Sequence, residues 1–182
     1  DTGEATVNSP LTFTAANWNT PQTVTVTGAD DDLIDGTISS LVTVSVVDAS
    51  SDNNFDAVAD QTVSVSTTDD DVAGFTITET EGSTTVTEAG STDTFDVVLN
   101  AQPDSNVVLT ISSSDTGEST VHGSTPSNNT ITFTSANWDT PQAFTVTGVD
   151  DDLVDGTVSS TVLFLLSMPY PITILMLSLI RP

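Results

Sequence analysis

The chain has 182 residues, and its 26 acidic residues are accompanied by a single basic one, which gives a formal net charge of −25. The basic residue is Arg181, so nucleic acid is excluded as a partner, because phosphate binding needs several cationic side chains. There is no cysteine, which excludes disulfides and thiolate metal sites. Abundant Thr, Ser and Val favour strands over helices or disorder.

Alternation of apolar and polar residues predicts strands along most of the chain. It is clearest at residues 23–27, 62–66, 75–78 and 95–99. Short runs that contain Gly, Pro or Asp separate these segments, as turns do. One face of each strand is apolar and the other polar, which is typical of antiparallel sheets with one solvated side.

A long internal repeat organises the chain. Residues 11–40 recur as residues 131–160, 120 positions later, with mostly conservative differences. Further upstream, residues 1–4 recur as residues 115–118. A period of this length matches a whole β-sandwich domain and is far too long for a solenoid unit. We therefore predict an all-β chain of tandem antiparallel β-sandwiches, with both repeats incomplete.

The predicted domain boundaries follow from the repeat. Residues 1–71 are expected to form the C-terminal part of a first β-sandwich repeat. Residues 72–161 are expected to form a second repeat that lacks its last strands. Together, residues 1–71 and 72–114 supply one full set of strands, so an alternative pairing of these two segments as a permuted sandwich also stays open.

Residues 162–182 break the pattern of the repeat. Most of this segment is apolar and long enough for a membrane span, whereas the repeat predicts a sequence like residues 43–62. When the segment is read one base out of frame, synonymous codons regenerate that sequence at nearly every position, except opposite Ser50. Two prolines in the middle of the stretch and the lack of a flanking cluster of positive residues also weigh against an anchor. We expect an out-of-frame tail that is not a native domain and does not insert into a membrane.

Two tryptophans, Trp18 and Trp138, occupy the same position of the repeat, and after two further residues each is followed by a proline. An aromatic ring in this register is either a sugar-stacking platform or a core or edge residue that packs at a chain turn, and we favour packing. A buried Trp138 would favour a structural repeat, and an exposed aromatic patch would favour a ligand-binding module.

Aspartates gather in three runs next to predicted strands. Two unit charges about 4 Å apart repel by roughly 4 kcal/mol at an effective dielectric constant near 20, so such runs need either counter-ions or full solvation. Short carboxylates in flexible loops suit Ca²⁺, which takes about six to eight oxygen ligands. The runs are Asp30, Asp31 and Asp32; Asp69, Asp70 and Asp71; and Asp150, Asp151 and Asp152.

Several motifs resemble the Calx-β family of extracellular repeats. Residues 86–90 (Val-Thr-Glu-Ala-Gly) followed by residues 95–99 resemble the opening of a Calx-β domain. Residues 130–133, then residues 144–152 and Asp155, resemble its penultimate strands and acidic loop. Such repeats recur in large bacterial surface and adhesion proteins, and the resemblance covers essentially all of the chain before the tail.

The resemblance implies an immunoglobulin-like sandwich in which some members bind calcium at one end of the domain. In this family Glu often stands where this chain has Asp35 and Asp155. The implied metal ligands are Glu88, Asp150, Asp151, Asp152 and Asp155 in the second repeat; Asp30, Asp31, Asp32 and Asp35 in the first; and the linker residues Asp69, Asp70 and Asp71.

We therefore expect a non-catalytic extracellular or cell-surface repeat that binds Ca²⁺ and acts as a spacer or stalk of a bacterial surface or adhesion protein. Its expected partners are neighbouring repeats of the same chain, together with surface glycans or proteins. The alternative is a carbohydrate- or protein-binding module attached to a secreted enzyme. The only histidine, His122, falls in an insertion, and no nucleophile elbow or phosphate loop occurs, so the chain itself is not expected to be an enzyme.

Overall fold

A computed structural model describes residues 1–8, 10–123, 129–154, 156–167 and 174–180. Within these residues the secondary structure consists of β-strands and three short 3-10 turns, and no α-helix is present. The chain divides into two compact units, Asp1–Asp70 and Asp71–Pro182. We call these unit 1 and unit 2.

Unit 1 contains two small antiparallel sheets. The first joins β1 (Ala5–Val7) to β2 (Val26–Gly28). The second joins β3 (Ile38–Val44) to β4 (Gln61–Thr67). Two 3-10 turns lie in the connection between β3 and β4.

Unit 2 contains two four-stranded antiparallel sheets. One has the strand order β5-β6-β10-β8 and the other the order β12-β11-β7-β9. These strands are β5 (Phe75–Glu79), β6 (Thr92–Leu99), β7 (Val107–Ser113), β8 (Ser119–His122), β9 (Thr130–Phe133), β10 (Gln142–Gly148), β11 (Ser159–Ser167) and β12 (Ile174–Ile180). Strands β6 and β7, which precede the second copy of the repeated residues, therefore pair with β10 and β11 of that copy.

The core of unit 2 is built from alternate residues of both sheets. Phe95 and Phe144, from neighbouring strands of the first sheet, stack with ring centroids 5.5 Å apart. Phe164, from β11 of the second sheet, meets both rings edge-on at 5.7 and 6.2 Å. Buried side chains thus join the two sheets, which confirms the predicted all-β fold with antiparallel β-sandwich packing.

The segment predicted to be out of frame continues the second sheet. Strand β11 runs through residues 162–167, and Val162 and Phe164 are fully buried in the core. None of the described residues forms a helix that is long and apolar enough to cross a membrane. The reading frame of this segment stays a prediction, because it is a property of the gene and not of the folded chain.

The internal repeat of the sequence is also a repeat of structure. In unit 1, Ala5 of β1 pairs with Gly28 of β2, and in unit 2 the equivalent Ser119 of β8 pairs with Gly148 of β10. A backbone hydrogen bond follows at the same place in both copies. The N–H of residue 29 donates to the carbonyl of residue 4 at 2.8 Å, and that of residue 149 donates to residue 118 at 2.9 Å.

The two copies of the repeat differ in the strands that pack against them. Trp138 packs against the core of unit 2, whereas Trp18 is 71 % exposed. The packing interpretation therefore holds for Trp138 but not for Trp18. The reason is that unit 2 contains β5, β6 and β7, and unit 1 has no counterpart of these strands within its described residues.

Candidate metal centre

Three carboxylates converge at one end of unit 1. Glu4, Asp31 and Asp35 each offer an oxygen, and these oxygens lie within 4.8 Å of one another. Glu4 directly precedes β1, while Asp31 and Asp35 lie in the loop that follows β2. Because β1 and β2 are antiparallel partners, the start of β1 and the end of β2 lie side by side. Within the described part of the chain, this is the group of three or more acidic or His side chains close enough to share one ion.

Local hydrogen bonds shape the loop that carries the two aspartates. The carboxylate of Asp31 accepts a hydrogen bond from the backbone N–H of Leu33 at 2.9 Å, which closes a tight turn. Gly36 follows Asp35 with φ +77°, a left-handed conformation that Gly adopts without the strain a side chain imposes. The polar turn residues and this glycine therefore set the path of the loop.

A fourth carboxylate approaches from the other sheet of unit 1. The backbone N–H of Gly36 donates to the carboxylate of Asp69 at 2.8 Å. Asp69 follows β4, and the pairing of Ile38 with Thr67 brings the end of β4 beside the start of β3. The cluster thus draws on three separate segments of unit 1, and Asp69 is held at its edge.

Partial burial and the charges of the cluster together change the pKa of Glu4. Its pKa lies above the ordinary value of a glutamic acid, first because partial burial disfavours the charged form. The negative charges of Asp35, Asp31 and Asp69 raise the pKa further, and the N-terminal ammonium lowers it. A cation placed among these oxygens would reverse the effect, because it stabilises the ionised carboxylate.

Removal of the Glu4 charge should stabilise metal-free unit 1 at neutral pH. Because the folded-state pKa of Glu4 is raised, the folded chain binds its proton more tightly than the unfolded chain does. The contribution of Glu4 is therefore present below its unfolded-state pKa and is lost as the pH rises through the raised folded-state pKa. In chelator, Glu4→Gln should unfold at higher denaturant concentration than wild type at pH 7, and the difference should vanish in acid.

The measurement is urea unfolding followed by Trp18 fluorescence in a Trp138→Phe background. Asp56→Asn is the matched control, because Asp56 is an exposed acid outside the cluster. A Glu4→Gln variant that is less stable than wild type at pH 7 in chelator would contradict the electrostatic account.

The second repeat forms the same turn with equivalent residues. The carboxylate of Asp151 accepts from the backbone N–H of Leu153 at 2.8 Å, as Asp31 does from Leu33, and Gly156 repeats the φ of +77°. Glu118, the equivalent of Glu4, is buried, with 7 % of its surface exposed. Asp155, the equivalent of Asp35, lies outside the described residues.

The remaining predicted ligands lie outside the cluster. Asp30, Asp32 and Asp70 are exposed in unit 1, and Asp150 and Asp152 are exposed in the loop after β10. In unit 2, Glu88 is half-buried in a turn closed by a hydrogen bond from the N–H of Gly90 to the carbonyl of Thr87 at 3.1 Å.

Asp71, the first residue of unit 2, is half-buried. The structure therefore groups Asp31 and Asp35 with Glu4, which the sequence analysis did not select. The recurrence of residues 1–4 as residues 115–118 was the signal that could have identified Glu4 and Glu118.

The fold and this cluster define an acidic all-β repeat protein with a candidate cation centre. No protein-family model matches the chain, and no curated protein matches it. Among solved structures the chain is similar to domains 4 and 5 of the S-layer protein SbsC, with 19 % identity and a TM-score of 0.38. The match covers 66 % of this chain and 57 % of that one, so it spans little more than half of that structure. A likeness this weak assigns neither a family nor a function.

Proposed function

We propose that this chain is a non-catalytic, calcium-binding structural repeat of an extracellular surface protein, in which it acts as a spacer or stalk. The observation that carries the proposal is the convergence of Glu4, Asp31 and Asp35, with Asp69 bound at the edge of the same loop. In a chain with a formal charge of −25, such a cluster is costly to form unless a cation neutralises it.

The donor set suits Ca²⁺ by its chemistry. All four groups are carboxylates, and Ca²⁺ accepts about six to eight oxygen ligands in flexible geometry, completed by backbone carbonyls and water. Softer metals prefer His or Cys ligands, which this cluster does not offer among its described residues. The resemblance to Calx-β repeats, some of which bind calcium, supports the same choice of ion.

Bound calcium would raise the free energy of unfolding of unit 1. The carboxylates come from three segments, namely the start of β1, the loop after β2 and the end of β4. An ion held by all three would join the two small sheets of unit 1. Binding to the folded state alone adds about 2.7 kcal/mol of stability at a ligand concentration of 100 Kd.

The spacer role rests on the repeated architecture. The same strand pairing and the same acidic turn occur in both copies, as expected of a chain that multiplies one domain to gain length. Trp138 packs against the core, which favours a structural role over a sugar-stacking one at that position. Extracellular calcium modules bind in the range of about 10⁻⁴ to 10⁻³ M, which suits a cell-surface location.

Calcium should raise the thermal midpoint of unit 1. At saturating Ca²⁺ and fixed ionic strength, the midpoint reported by Trp18 should lie about 10 °C or more above that in chelator, which is the shift that about 2.7 kcal/mol produces in a domain of this size. Mg²⁺ should have a smaller effect, because it demands strict octahedral geometry.

The double variant Asp31→Asn, Asp35→Asn should abolish the calcium-dependent shift. The matched control is Asp52→Asn, Asp56→Asn, which removes the same number of exposed charges from unit 1 outside the cluster and should retain the shift. Equal midpoints of the wild-type chain in Ca²⁺ and in chelator would refute the proposal.

A further inference from the structure

Unit 1 has two open sheet edges where unit 2 has closed ones. Strand β10 pairs with both β6 and β8, but its counterpart β2 pairs with β1 alone within the described residues. Strand β11 pairs with both β7 and β12, but among the residues that the structure describes its counterpart β3 pairs with β4 alone. An unpaired edge presents a row of backbone donors and acceptors that can bind another strand.

Unit 1 also exposes apolar side chains whose equivalents in unit 2 are buried. Phe13 and Val44 are 55 % and 50 % exposed, whereas at most 1 % of the surface of their equivalents, Phe133 and Phe164, is exposed. Val26 is likewise exposed, although its equivalent in β10 is fully buried. We call these three residues, with the edges of β2 and β3, the open face.

Unit 2 shows which elements cover this face in the second copy. The ring of Phe164 lies 5.7 Å from Phe75 of β5 and 5.7 Å from Phe95 of β6. Leu109 and Ile111 of β7 belong to the same buried cluster. The four residues Phe75, Phe95, Leu109 and Ile111 come from one continuous segment, residues 72–114, which directly precedes the second copy in the sequence.

A pair of equivalent glycines indicates that a segment like residues 72–114 also fits unit 1. In unit 2 the N–H of Gly148 donates to the carbonyl of Ser91 at 3.0 Å, and a Cβ at Gly148 would lie 2.0 Å from the carbonyl oxygen of Thr87. A Cβ at the equivalent Gly28 would meet only a methyl of Thr67, at 3.8 Å. Unit 1 therefore has a glycine, Gly28, at the position where in unit 2 the backbone of residues 72–114 packs against Gly148. The space beside Gly28 is open.

We propose that the open face of unit 1 binds a polypeptide segment like residues 72–114, supplied by another repeat of this sequence type. The segment would add one strand to the edge of β2 and one to the edge of β3, and its apolar residues would cover Phe13, Val26 and Val44. This is β-strand addition, in which main-chain hydrogen bonds supply affinity and side-chain pockets supply specificity. The proposed contacts are main-chain hydrogen bonds and apolar packing, and none of them includes a metal ion.

The test uses the full chain in chelator with Trp138→Phe, so that Trp18 is the sole tryptophan. The probe is a synthetic fragment of residues 72–114, which contains no tryptophan. On titration, the acrylamide quenching constant of Trp18 should fall to the value measured for Trp138 in a Trp18→Phe chain. Gly28→Ala should weaken this binding at least about tenfold, a loss that corresponds to 1.4 kcal/mol.

Two controls make the result specific. A fragment that carries Phe95→Asp and Ile111→Asp should leave Trp18 as exposed as before. A second chain places residues 72–114 directly before Asp1, which reproduces the junction between residues 114 and 115. In this longer chain Trp18 should be protected at any protein concentration, since linkage raises the effective concentration of the segment to the millimolar range.

Three outcomes would overturn the proposal. Trp18 could remain fully quenchable in the longer chain, which would show that the open face does not accept the segment. The fragment could protect Trp18 equally well in the Gly28→Ala chain, or when it carries the two aspartates, which would show non-specific adsorption. The fragment could also leave Trp18 unchanged and alter the quenching of Trp138 in the Trp18→Phe chain, which would place it in unit 2. Because all measurements are made in chelator, their failure would leave the calcium proposal untouched.

Discussion

Phe133→Ala should lower the free energy of unfolding of unit 2 by about 3–5 kcal/mol, whereas Phe13→Ala should cost unit 1 less than about 1 kcal/mol. The two phenylalanines occupy the same position of the repeat, so the substitution removes the same atoms from the same local sequence. They differ in burial, since Phe133 belongs to the closed core of the sandwich and Phe13 is 55 % exposed. A loss of 3–5 kcal/mol is a large part of the stability of an ordinary domain.

Urea unfolding measures the two effects separately. Trp138 in a Trp18→Phe chain reports unit 2, and Trp18 in a Trp138→Phe chain reports unit 1. Equal losses for the two variants would mean that Phe13 is also buried in solution, and the description of the open face would then be wrong. In the chain with residues 72–114 placed before Asp1, the loss from Phe13→Ala should rise toward that from Phe133→Ala.

Gly148→Ala should destabilise unit 2 by about 3 kcal/mol or more, because the added methyl group meets backbone and not a flexible side chain. The new Cβ would lie 2.0 Å from the carbonyl oxygen of Thr87, so β10 and the turn before β6 would have to separate. That separation would also weaken the hydrogen bond from Gly148 N–H to Ser91. Thermal or urea unfolding followed by Trp138 provides the measurement.

Gly28→Ala is the matched control for this second effect. A Cβ at Gly28 has ordinary van der Waals room, and alanine in a strand is favoured over glycine by roughly 0.5–1 kcal/mol. This variant should therefore be neutral or slightly more stable. Destabilisation by Gly28→Ala in the unmodified chain would contradict the open space described beside β2.

Calcium and strand addition would use different groups of unit 1, although both involve the end of β2. The carboxylate cluster lies where β1 begins and β2 ends, and it joins the loop after β2 to the end of β4. The open face consists of the edges of β2 and β3 and the exposed side chains of Phe13, Val26 and Val44. A stalk built from such repeats would gain stability both from ions in its loops and from strands shared across its open faces.

Strand positions followed from residue alternation, but strand lengths depended on partners. Residues 75–78 and 95–99 were predicted as strands and lie within β5 and β6. Residues 23–27 were predicted in the same way, yet β2 begins only at Val26. The equivalent β10 is a full strand, Gln142–Gly148, because β6 and β8 both pair with it. A pattern can indicate a strand, but a ladder of hydrogen bonds needs a neighbour.

Some residues of the candidate site could be predicted from the sequence, and others could not. Asp31, Asp35 and Asp69 were selected from the acidic runs and the Calx-β resemblance, and they lie in or beside the cluster. Glu4 was not selected, because it stands alone in the sequence and reaches the aspartates only through the pairing of β1 with β2. Adjacent aspartates such as Asp30 and Asp32 were selected with Asp31, but both are exposed and lie outside the group of converging oxygens.

The fold class, the repeat and the acidic character of the loops could be predicted from the residues alone, because these depend on local patterns and on composition. Which copy of each repeated residue is buried, and which carboxylates meet, depends on how the strands pair in the folded chain. Phe13 and Phe133 have nearly the same local sequence and opposite environments, since burial depends on strands that lie far away along the chain. Glu4 and Asp35 likewise become neighbours only when β1 and β2 pair, because a metal centre is a property of folded geometry and not of sequence spacing.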